Sequence, residues 1–432
     1  MKQELSIFWF RRDLRLKDNA GLYYALKSGL PVLPVFIFDT NILDKLENKR
    51  DARVQFIYQE LERLQQELAG YSSALEIFIG TPEKAFEHFA KNFNIKAVFA
   101  NSDYEPYAVN RDLQVEAFLK GKGIEFKTFK DQVLFEKGEV AKADGLPYTI
   151  YTPYMKKVKE KLNDFYLKPY PTEKYFYNFF KHQSDFPTLK EIGFEAMEFS
   201  FPSRIANENL IKNYHLNRDY PAKDATTRLG IHLRFGTISI RGLAKKALSW
   251  NEQFMNELIW RDFFMMILHH FPHSASYSFK KKYDHIKWRN NEEEFELWCA
   301  GKTGYPMVDA GMRQLNETGF LHNRVRMVVA SFLCKHLLID WRWGEAYFAE
   351  KLLDYDLSAN VGNWQWAAGS GCDAAPYFRV FNPELQKQKF DPEEKYIKKW
   401  VKEFNTAEYP KPMVEHKMAR ERVLKVYKEA VG

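Results

Sequence analysis

The chain has 432 residues, which is too long for one simple core and favours two domains. Its composition, 45% hydrophobic and 28% charged, is that of a globular protein, and a net charge of +7 mildly favours a polyanionic partner without identifying one. The longest apolar stretch, GLPVLPVFIF, is short and broken by proline, and the charged N-terminus does not resemble a secretory signal. These features exclude a membrane-spanning or secreted class, so we expect a cytoplasmic protein.

The first part of the chain alternates two kinds of hydrophobic pattern. The runs LSIFWF, LPVFIF, ALEIFI, KAVFA and IEFKTF predict buried strands. Between the second and third runs, apolar residues from Val54 onwards predict a helix that stops at Gly70, and Thr81 with Pro82 predicts the start of another. Strands that alternate with helices predict a parallel sheet, so residues 1–130 are expected to form a Rossmann-like α/β domain. No G-x-G-x-x-G follows the first strand, so no dinucleotide is expected there.

The rest of the chain has a different organisation. Residues 131–200 have weak periodicity and are rich in proline, lysine and aromatic residues, which predicts a long interdomain linker with a few short helices. Residues 201–432 are almost wholly helical in pattern, so the predicted architecture is an α/β domain, a linker and an all-α domain. The three cysteines, Cys299, Cys334 and Cys372, suit a reducing compartment and cannot form a four-cysteine metal cluster. We predict no metal site.

Within the helical region, Glu257, Trp260 and Arg261 share one helix face. An exposed Glu–Arg pair on an amphipathic helix is the commoner explanation. The alternative is that the carboxylate, the indole ring and the guanidinium group act together, binding the edge of a nucleobase and its phosphate.

Three further polar clusters could bind a ligand, and two of them also have an ordinary structural explanation. On the helix after Gly319, Asn323 and Met327 share a face, and an asparagine can read an amide-like ring edge because it both donates and accepts. The segment LLDYDLSAN provides Asp354, Asp356 and Asn360. Asp354 could pair with Arg326, although capping of helix ends is the favoured interpretation. A predicted loop could hold a pyrophosphate or simply cap a helix; it carries Thr226, Thr227 and Arg228.

The segment NVGNWQWAAGSGCDAAPYFRVFNP is the most unusual in the chain. It places Trp364 and Trp366 two residues apart among small residues that cannot build an ordinary hydrophobic wall. Together with NELIWRDFF, GKTGYPMVDAGMRQLNETGFLHNRVRM and LLIDWRWGEAYF, it closely resembles the photolyase/cryptochrome family, nearest to class I cyclobutane pyrimidine dimer photolyases. The segments FWFRRDLRLKDN and YTIYTPY fit as well, so the resemblance extends over nearly the whole chain.

This resemblance implies an enzyme, a deoxyribodipyrimidine photo-lyase that binds UV-damaged DNA and uses reduced FAD, with residues 201–432 as the FAD-binding catalytic domain. Its chemistry is electron donation from excited FAD to the dimer, opening of the dimer ring, and return of the electron. The dimer would have to flip out of duplex DNA into a pocket of the protein. A monomer with no obligate protein partner is expected.

The resemblance also implies roles for individual residues. An electron-transfer chain would run through Trp364, Trp341 and Trp288, and Trp366 with Trp260 would wall the lesion pocket. Glu257 would hydrogen-bond the thymine carbonyls, flanked by Asn323 and Met327. The implied FAD-binding set is Tyr214, Thr226, Thr227, Arg228, Leu229, Gly230, Phe254, Arg261, Arg326, Asp354, Asp356 and Asn360. The implied DNA contacts are Arg218, Glu257, Trp260, Arg261, Asn323, Arg324, Arg379 and Gln386.

The sequence departs from the family pattern at several positions. Gly230 stands where a serine is common, and Ile231 with His232 where Pro-Tyr is frequent, which puts one hydrogen bond to the cofactor phosphate in doubt. Phe320 replaces a frequent tryptophan. The segment NSDYEPYAVNRD lacks the Asn-Glu pair by which some members hold a folate antenna, so no second chromophore is identified.

Other members of the family are less compatible with the sequence. The 6-4 photolyases carry histidines at the positions of Asn323 and Met327, the iron–sulfur branch needs four cysteines, and DASH cryptochromes usually have tyrosine at the position of Trp366. A light sensor that signals through flavin reduction is the alternative of a different class. Such sensors often have a long C-terminal tail, whereas this chain stops with the segment PKPMVEHKMARERVLKVYKEAVG, which does not by itself exclude signalling. Repair of cyclobutane dimers is the preferred prediction.

Overall fold

The computed structural model describes residues 2–432. The chain divides into two compact units whose segments interleave along the sequence. The α/β unit comprises the residues up to Glu136, Lys161–Ala206 and Arg228–Ser249, and the helical unit comprises Lys137–Glu160, Asn207–Thr227 and Trp250–Gly432. The segment between the strands and the main helices therefore contributes to both units.

The α/β unit is built on a five-stranded parallel sheet, as the alternating pattern predicts. Its strands are β1 (Glu4–Phe10), β2 (Val32–Asp39), β3 (Glu76–Gly80), β4 (Asn94–Asn101) and β5 (Glu125–Phe129). Their order is β3-β2-β1-β4-β5, with β1 central: Ile7 faces Leu33 on one side and Val98 on the other. Strands β1, β2 and β4 are buried along most of their length, which shows that both faces of the sheet are covered there.

Capping residues, proline and glycine mark the ends of several helices in this unit. The helix Ala52–Ala69 begins after Asp51, whose side chain accepts from the Arg53 amide, and it ends at Gly70. Thr81 caps the helix Pro82–Asn92, with Pro82 in its first turn, as predicted. The other α-helices are Ala20–Leu26, Thr40–Leu43, Pro106–Gly121, Asp164–Leu167, Gly230–Arg234 and Ile240–Trp250, and Thr172–Asn178 is a 3₁₀ helix.

The helical unit contains the remaining helices. Its α-helices are Tyr151–Lys161, Glu208–Lys212, Tyr214–Asn217, Glu252–His270, Glu292–Cys299, Pro306–Thr318, Asn323–Ser331, Trp341–Lys351, Leu357–Ala368, Pro383–Phe390, Lys395–Trp400 and His416–Val431. Pro272–Ala275 and Lys281–His285 are 3₁₀ helices, and Phe332–Leu337 is a π-helical turn. The core of this unit gathers buried aromatic side chains, among them Trp298, Trp341 and Trp364. None of the helices within residues 2–432 combines the length and the apolar character that crossing a membrane requires.

A buried ionic cluster stabilises the α/β unit. Asp131, 1% exposed, accepts from Arg15 at 2.7 Å and from Arg241 at 2.8 Å, and from the amide of Ala20 at 3.1 Å. Burial alone would raise the pKa of Asp131, but the two guanidinium groups lower it below its ordinary value. Removing one partner of such a cluster leaves uncompensated buried charge.

We expect Asp131→Asn to lower the free energy of unfolding of the α/β unit by about 3–5 kcal/mol at neutral pH. Because the folded-state pKa is depressed, the contribution is present above the unfolded pKa of about 4 and is lost as the pH falls through the folded value. Urea denaturation of both proteins between pH 7 and pH 3 measures this. Glu4→Gln is the control, since Glu4 pairs with Lys96 at the exposed surface and should change stability by less than about 1 kcal/mol. Equal effects of the two substitutions would contradict the prediction.

Candidate active site

Three helices of the helical unit border an open cavity whose volume is about 590 Å³ when the adjoining solvent space is included. They are Asn323–Ser331, Trp341–Lys351 and Leu357–Ala368. The cavity brings together eight of the residues that the sequence singles out: Asn323, Arg326, Met327, Asp354, Asp356, Asn360, Trp364 and Trp366. Residues implied for the cofactor and residues implied for the lesion thus line the same space.

The paired tryptophans lie on the helix Leu357–Ala368. Asp356 caps this helix by accepting from the Ala359 amide at 3.2 Å, and Gly369, with φ 93°, ends it in a left-handed conformation that glycine adopts without strain. Residues two positions apart in an α-helix are separated by about 200° around its axis. Trp364 therefore points into the core, 2% exposed, while Trp366 is half-buried and faces the other way.

The immediate surroundings of Trp364 are aromatic. Its ring meets Phe348 edge-on at 5.0 Å and Trp298 at 6.1 Å between centroids. Trp341 is as deeply buried, and neither Trp341 nor Trp364 has a hydrogen-bond partner for its indole N–H. Trp288 packs against the same core but is partly exposed. Trp298 was not among the predicted residues, because only its contact with Trp364 sets it apart from an ordinary core tryptophan.

The acidic segment before this helix serves both predicted purposes. Arg326 donates to both oxygens of Asp354 at 3.0 Å, so the pair that the sequence left open is formed, while Asp356 is a helix cap. Asn360 lies inside the helix and does not cap it. Its amide donates to the backbone and side-chain oxygens of Glu345 at 3.1 and 2.9 Å. Burial raises the pKa of Glu345, a residue that the sequence did not single out.

On the helix Glu252–His270, Glu257 has a different partner from the one that spacing suggests. It accepts hydrogen bonds from Arg218 and, at 2.9 Å, from Gln253. Arg261 lies 3.9 Å from Asp262. The pairing joins residues far apart in sequence, so a local helical pattern could not have predicted it. Burial, with a smaller contribution from Glu257, raises the pKa of Tyr214 well above its ordinary value.

The indole of Trp260 contacts three other rings, of which Phe263 meets it edge-on at 5.6 Å. Tyr151 stacks on it at 3.5 Å between centroids with the planes 7° apart, and Phe264 lies at 5.3 Å. Trp260 is half-buried, as is Met327, whereas Asn323 is exposed at the mouth of the cavity.

The residues implied for DNA contacts include cations held by neighbouring groups. Arg324 pairs with Asp219 at 2.7 Å and lies 4.2 Å over the ring of Phe390. Arg379 is exposed and lies 5.5 Å over the ring of Phe381. Gln386 is half-buried on the helix Pro383–Phe390. These contacts orient the two guanidinium groups, of which that of Arg324 is partly buried and that of Arg379 belongs to an exposed residue.

The segment that the sequence predicts to be a pyrophosphate-binding loop does form a loop in the structure. Thr226 and Thr227 have no regular structure, Arg228 has a left-handed φ of 52°, and Leu229 is the buried residue before the helix Gly230–Arg234. In the helical unit, Tyr214 meets Phe254 edge-on at 5.3 Å. The role of this loop toward a cofactor stays a prediction.

One of the departures from the family pattern has a structural reason. His232 is buried, and its ring hydrogen-bonds to Thr237 Oγ1 at 2.7 Å and to the Pro202 carbonyl at 2.8 Å. Burial lowers the pKa of His232, which favours the neutral ring. The histidine therefore stabilises the α/β unit, and no role in binding is needed to explain it.

The donor set of the cavity fits the flavin of FAD. A flavin needs an apolar slot for its flat ring system and polar groups along one edge. Alanines at 330, 359 and 367 keep the slot open beside Trp364, while Arg326, Asp354 and Asn360 supply charged and amide groups.

Comparison with known proteins agrees with this geometry. Residues 6–174 match the family model described as DNA photolyase, and residues 254–408 match the one described as FAD binding domain of DNA photolyase. The deoxyribodipyrimidine photo-lyase of Vibrio cholerae is 36% identical, over 99% of this chain and 100% of the relative, and that of Escherichia coli is 34% identical, over 98% of each.

Solved structures are similar over the same length. A class III photolyase from Agrobacterium tumefaciens superposes with a TM-score of 0.87 at 32% identity, covering 100% of this chain and 98% of the other. An archaeal photolyase from Sulfolobus tokodaii, whose structure holds two FAD molecules, superposes with a TM-score of 0.83 at 37% identity, covering 99% and 100%.

The chain belongs to the photolyase/cryptochrome family. Within that family it is an enzyme of the deoxyribodipyrimidine photo-lyase type, and its cofactor is FAD.

The packing of Trp364 depends on a glycine. A Cβ added to Gly344, on the helix Trp341–Lys351, would overlap the Trp364 ring. We expect Gly344→Ala to lower the free energy of unfolding by about 1–3 kcal/mol through overpacking and to reduce the FAD content of the purified protein. Thermal unfolding and flavin absorbance measure the two effects.

Gly242→Ala is the matched control, because this glycine also lies inside a helix but its added Cβ would approach no atom closer than 3.8 Å. Helix propensity alone should then raise stability by up to about 1 kcal/mol. Full FAD content together with increased stability in Gly344→Ala would contradict the packing assignment.

Proposed function

We propose that the protein repairs cyclobutane pyrimidine dimers in DNA in a light-driven reaction. One observation carries the proposal: the cavity near Trp364 is lined both by the residues implied for FAD and by those implied for the lesion. Bound FAD, excited in its reduced form, supplies the electron that opens the dimer. A shared cavity supports direct electron transfer because it leaves no protein layer between donor and lesion.

The lesion side of this proposal rests on an apolar pocket with a few polar groups. Trp260 and Trp366 wall the pocket, and Met327 extends its apolar surface. Asn323 provides an amide that can both donate and accept at the edge of a pyrimidine. Asparagine and methionine at these positions provide no imidazole for proton transfer, which favours cyclobutane dimers over 6-4 products as the substrate.

Glu257 acts on the dimer carbonyls in this proposal. Its pairing with Arg218 and Gln253 holds the carboxylate in one orientation on the helix Glu252–His270. Negative charge develops on the dimer carbonyls after electron transfer. A carboxylate cannot bind this charge, so Glu257 would act in its protonated form, whose O–H donates to a carbonyl oxygen, and a contact of this kind acts on the chemical step more than on binding.

Cations around the cavity would contact the phosphates of DNA. Arg324 and Arg379 are each held over an aromatic ring, which reduces the conformational entropy that they lose on binding. Contacts of this kind position a duplex without reading its sequence.

The tryptophan chain would return oxidised flavin to its reduced state under light. Trp364 and Trp341 have indole N–H groups without acceptors, so an oxidised indole there cannot lose its proton to a neighbouring side chain. The positive charge then moves on toward Trp288, which is partly exposed and can lose a proton to solvent.

The proposed activity is tested by illuminating the reduced protein with an oligonucleotide that contains a single cyclobutane thymine dimer. An oligonucleotide with a 6-4 lesion is the control substrate. We expect restored thymines from the dimer and none from the 6-4 lesion. Flavin photoreduction without repair of either lesion would instead indicate a light sensor.

The substitution Glu257→Gln separates catalysis from an ordinary ion pair. Glutamine keeps the size and one acceptor but cannot transfer a proton or carry charge, so the repair quantum yield of pre-reduced enzyme should fall by about twofold or more. FAD content and affinity for the dimer should change less. Glu252→Gln is the control, since Glu252 lies on the same helix and forms an exposed pair with Lys159. A full repair yield in Glu257→Gln would exclude Glu257 as a catalytic residue.

The substitution Trp341→Phe tests the electron-transfer chain. We expect photoreduction of oxidised flavin to slow to a small fraction of the wild-type rate, while repair by chemically pre-reduced enzyme stays largely intact. Time-resolved absorbance after a laser flash measures the first effect. Trp298→Phe is the matched control, because Trp298 also contacts Trp364 and is equally buried. Slow photoreduction in Trp298→Phe but not in Trp341→Phe would assign the route to Trp298.

A further inference from the structure

The motif YTIYTPY contains Tyr151, which has no part in the proposed chemistry. We propose that Tyr151 is a positioning residue that fixes the orientation of Trp260 and links it to the segment after Trp366. This inference rests on the proposed function, in which Trp260 and Trp366 are the two walls of the lesion pocket.

Besides an edge-on contact with Phe263 at 5.8 Å, three contacts hold Tyr151 in place. Its ring stacks on Trp260 at 3.5 Å with the planes 7° apart, the closest and most nearly parallel aromatic pair among the described residues. Its phenol donates to the Asn256 carbonyl at 2.7 Å, and its backbone N–H donates to Asp373 Oδ2 at 3.0 Å. The side chain is 7% exposed, so these contacts are shielded from solvent.

The first two contacts act on the same helix. Asn256 precedes Glu257 on the helix Glu252–His270 and lies one turn before Trp260. A ring stacked on Trp260 and hydrogen-bonded one turn earlier opposes both rotation of the indole and movement of that turn. Tyr151 thereby acts on the presentation of Trp260 and Glu257 together.

The third contact reaches the segment that follows Trp366 in the chain. Asp373 lies in the segment between the helix Leu357–Ala368, which carries Trp366, and the exposed Arg379. The same residue that stacks on Trp260 therefore anchors the segment that follows Trp366. No other described residue stacks on Trp260 and also hydrogen-bonds to this segment.

These contacts indicate that Tyr151 fixes the orientation of Trp260 and does more than fill space in the core. A parallel stack occupies one face of the Trp260 ring and leaves the indole a single orientation, and a fixed wall binds a rigid ligand at a lower entropic cost than a mobile one. Phe264 contacts the same indole at 5.3 Å with the planes 28° apart, which is a looser constraint. Loss of the Tyr151 ring should therefore weaken recognition of the dimer more than binding of undamaged DNA.

The test compares Tyr151→Leu and Tyr151→Phe in the full-length FAD-containing protein. The measured quantity is the ratio of the dissociation constants for an undamaged and a dimer-containing oligonucleotide of the same sequence. Tyr151→Leu removes the stack, and we expect this ratio to fall by about three- to tenfold. Tyr151→Phe keeps the stack and should restore at least half of the wild-type ratio.

Tyr154→Leu is the matched control. Tyr154 lies on the same helix and is 1% exposed, and its ring contacts Phe263 at 5.3 Å rather than Trp260. A general loss of packing should destabilise this variant at least as much while leaving the ratio at the wild-type value. A wild-type ratio in Tyr151→Leu, or an equal fall in Tyr154→Leu, would overturn the proposal.

A second pair of variants does not depend on the folding of Tyr151→Leu. Asp373→Ala removes the acceptor for the Tyr151 N–H and should lower the ratio, while Asp373→Asn keeps an acceptor oxygen and should restore it. A wild-type ratio in Asp373→Ala would overturn the link between the two walls. If the wild-type protein has no preference for dimer-containing DNA, the proposed function fails; if it has that preference and Tyr151→Leu retains it, only this inference fails.

Discussion

The geometry of one α-helix determines how this site is organised. Residues two apart on a helix point in nearly opposite directions, so Trp364 is buried and Trp366 is half-buried, although both line the cavity. The helix Leu357–Ala368 places the indole of Trp364 within the aromatic core and leaves that of Trp366 at the edge of this core. In our proposal this single element serves the electron-transfer chain on one side and the lesion on the other, and its ends are set by Asp356 and Gly369.

Much of the architecture could be predicted from the sequence because it follows from local periodicity. All five strands and the helices that begin after Asp51 and Thr81 lie where the hydrophobic and capping patterns indicate. The residues of the cavity also came together, since Asp354, Asp356 and Asn360 lie just before or within the helix that carries the tryptophans. For the C-terminal motifs, the resemblance to a known family added the roles that periodicity alone could not assign.

The contacts that escaped prediction join segments that are distant in the chain. Helical spacing placed Glu257 beside Arg261, but Glu257 hydrogen-bonds to Arg218, which follows the short helix Tyr214–Asn217 of the same unit. The stack of Tyr151 on Trp260 and the bond from Asn360 to Glu345 have the same origin. A pattern within one helix shows which face a residue occupies, and only the packing of several elements decides what meets that face.

The small residues around the tryptophans connect stability with function. A tightly packed interior would place large side chains at 330, 359 and 367, yet alanines line the cavity there, and Gly344 leaves room for the Trp364 ring. Small residues remove dispersion contacts that a core of this size would otherwise make. A ligand that binds only the folded state restores such contacts and stabilises that state by mass action. Because FAD is the cofactor of this enzyme, we infer that the packing around Trp364 was shaped for the bound cofactor and that the stability of the helical unit depends on it.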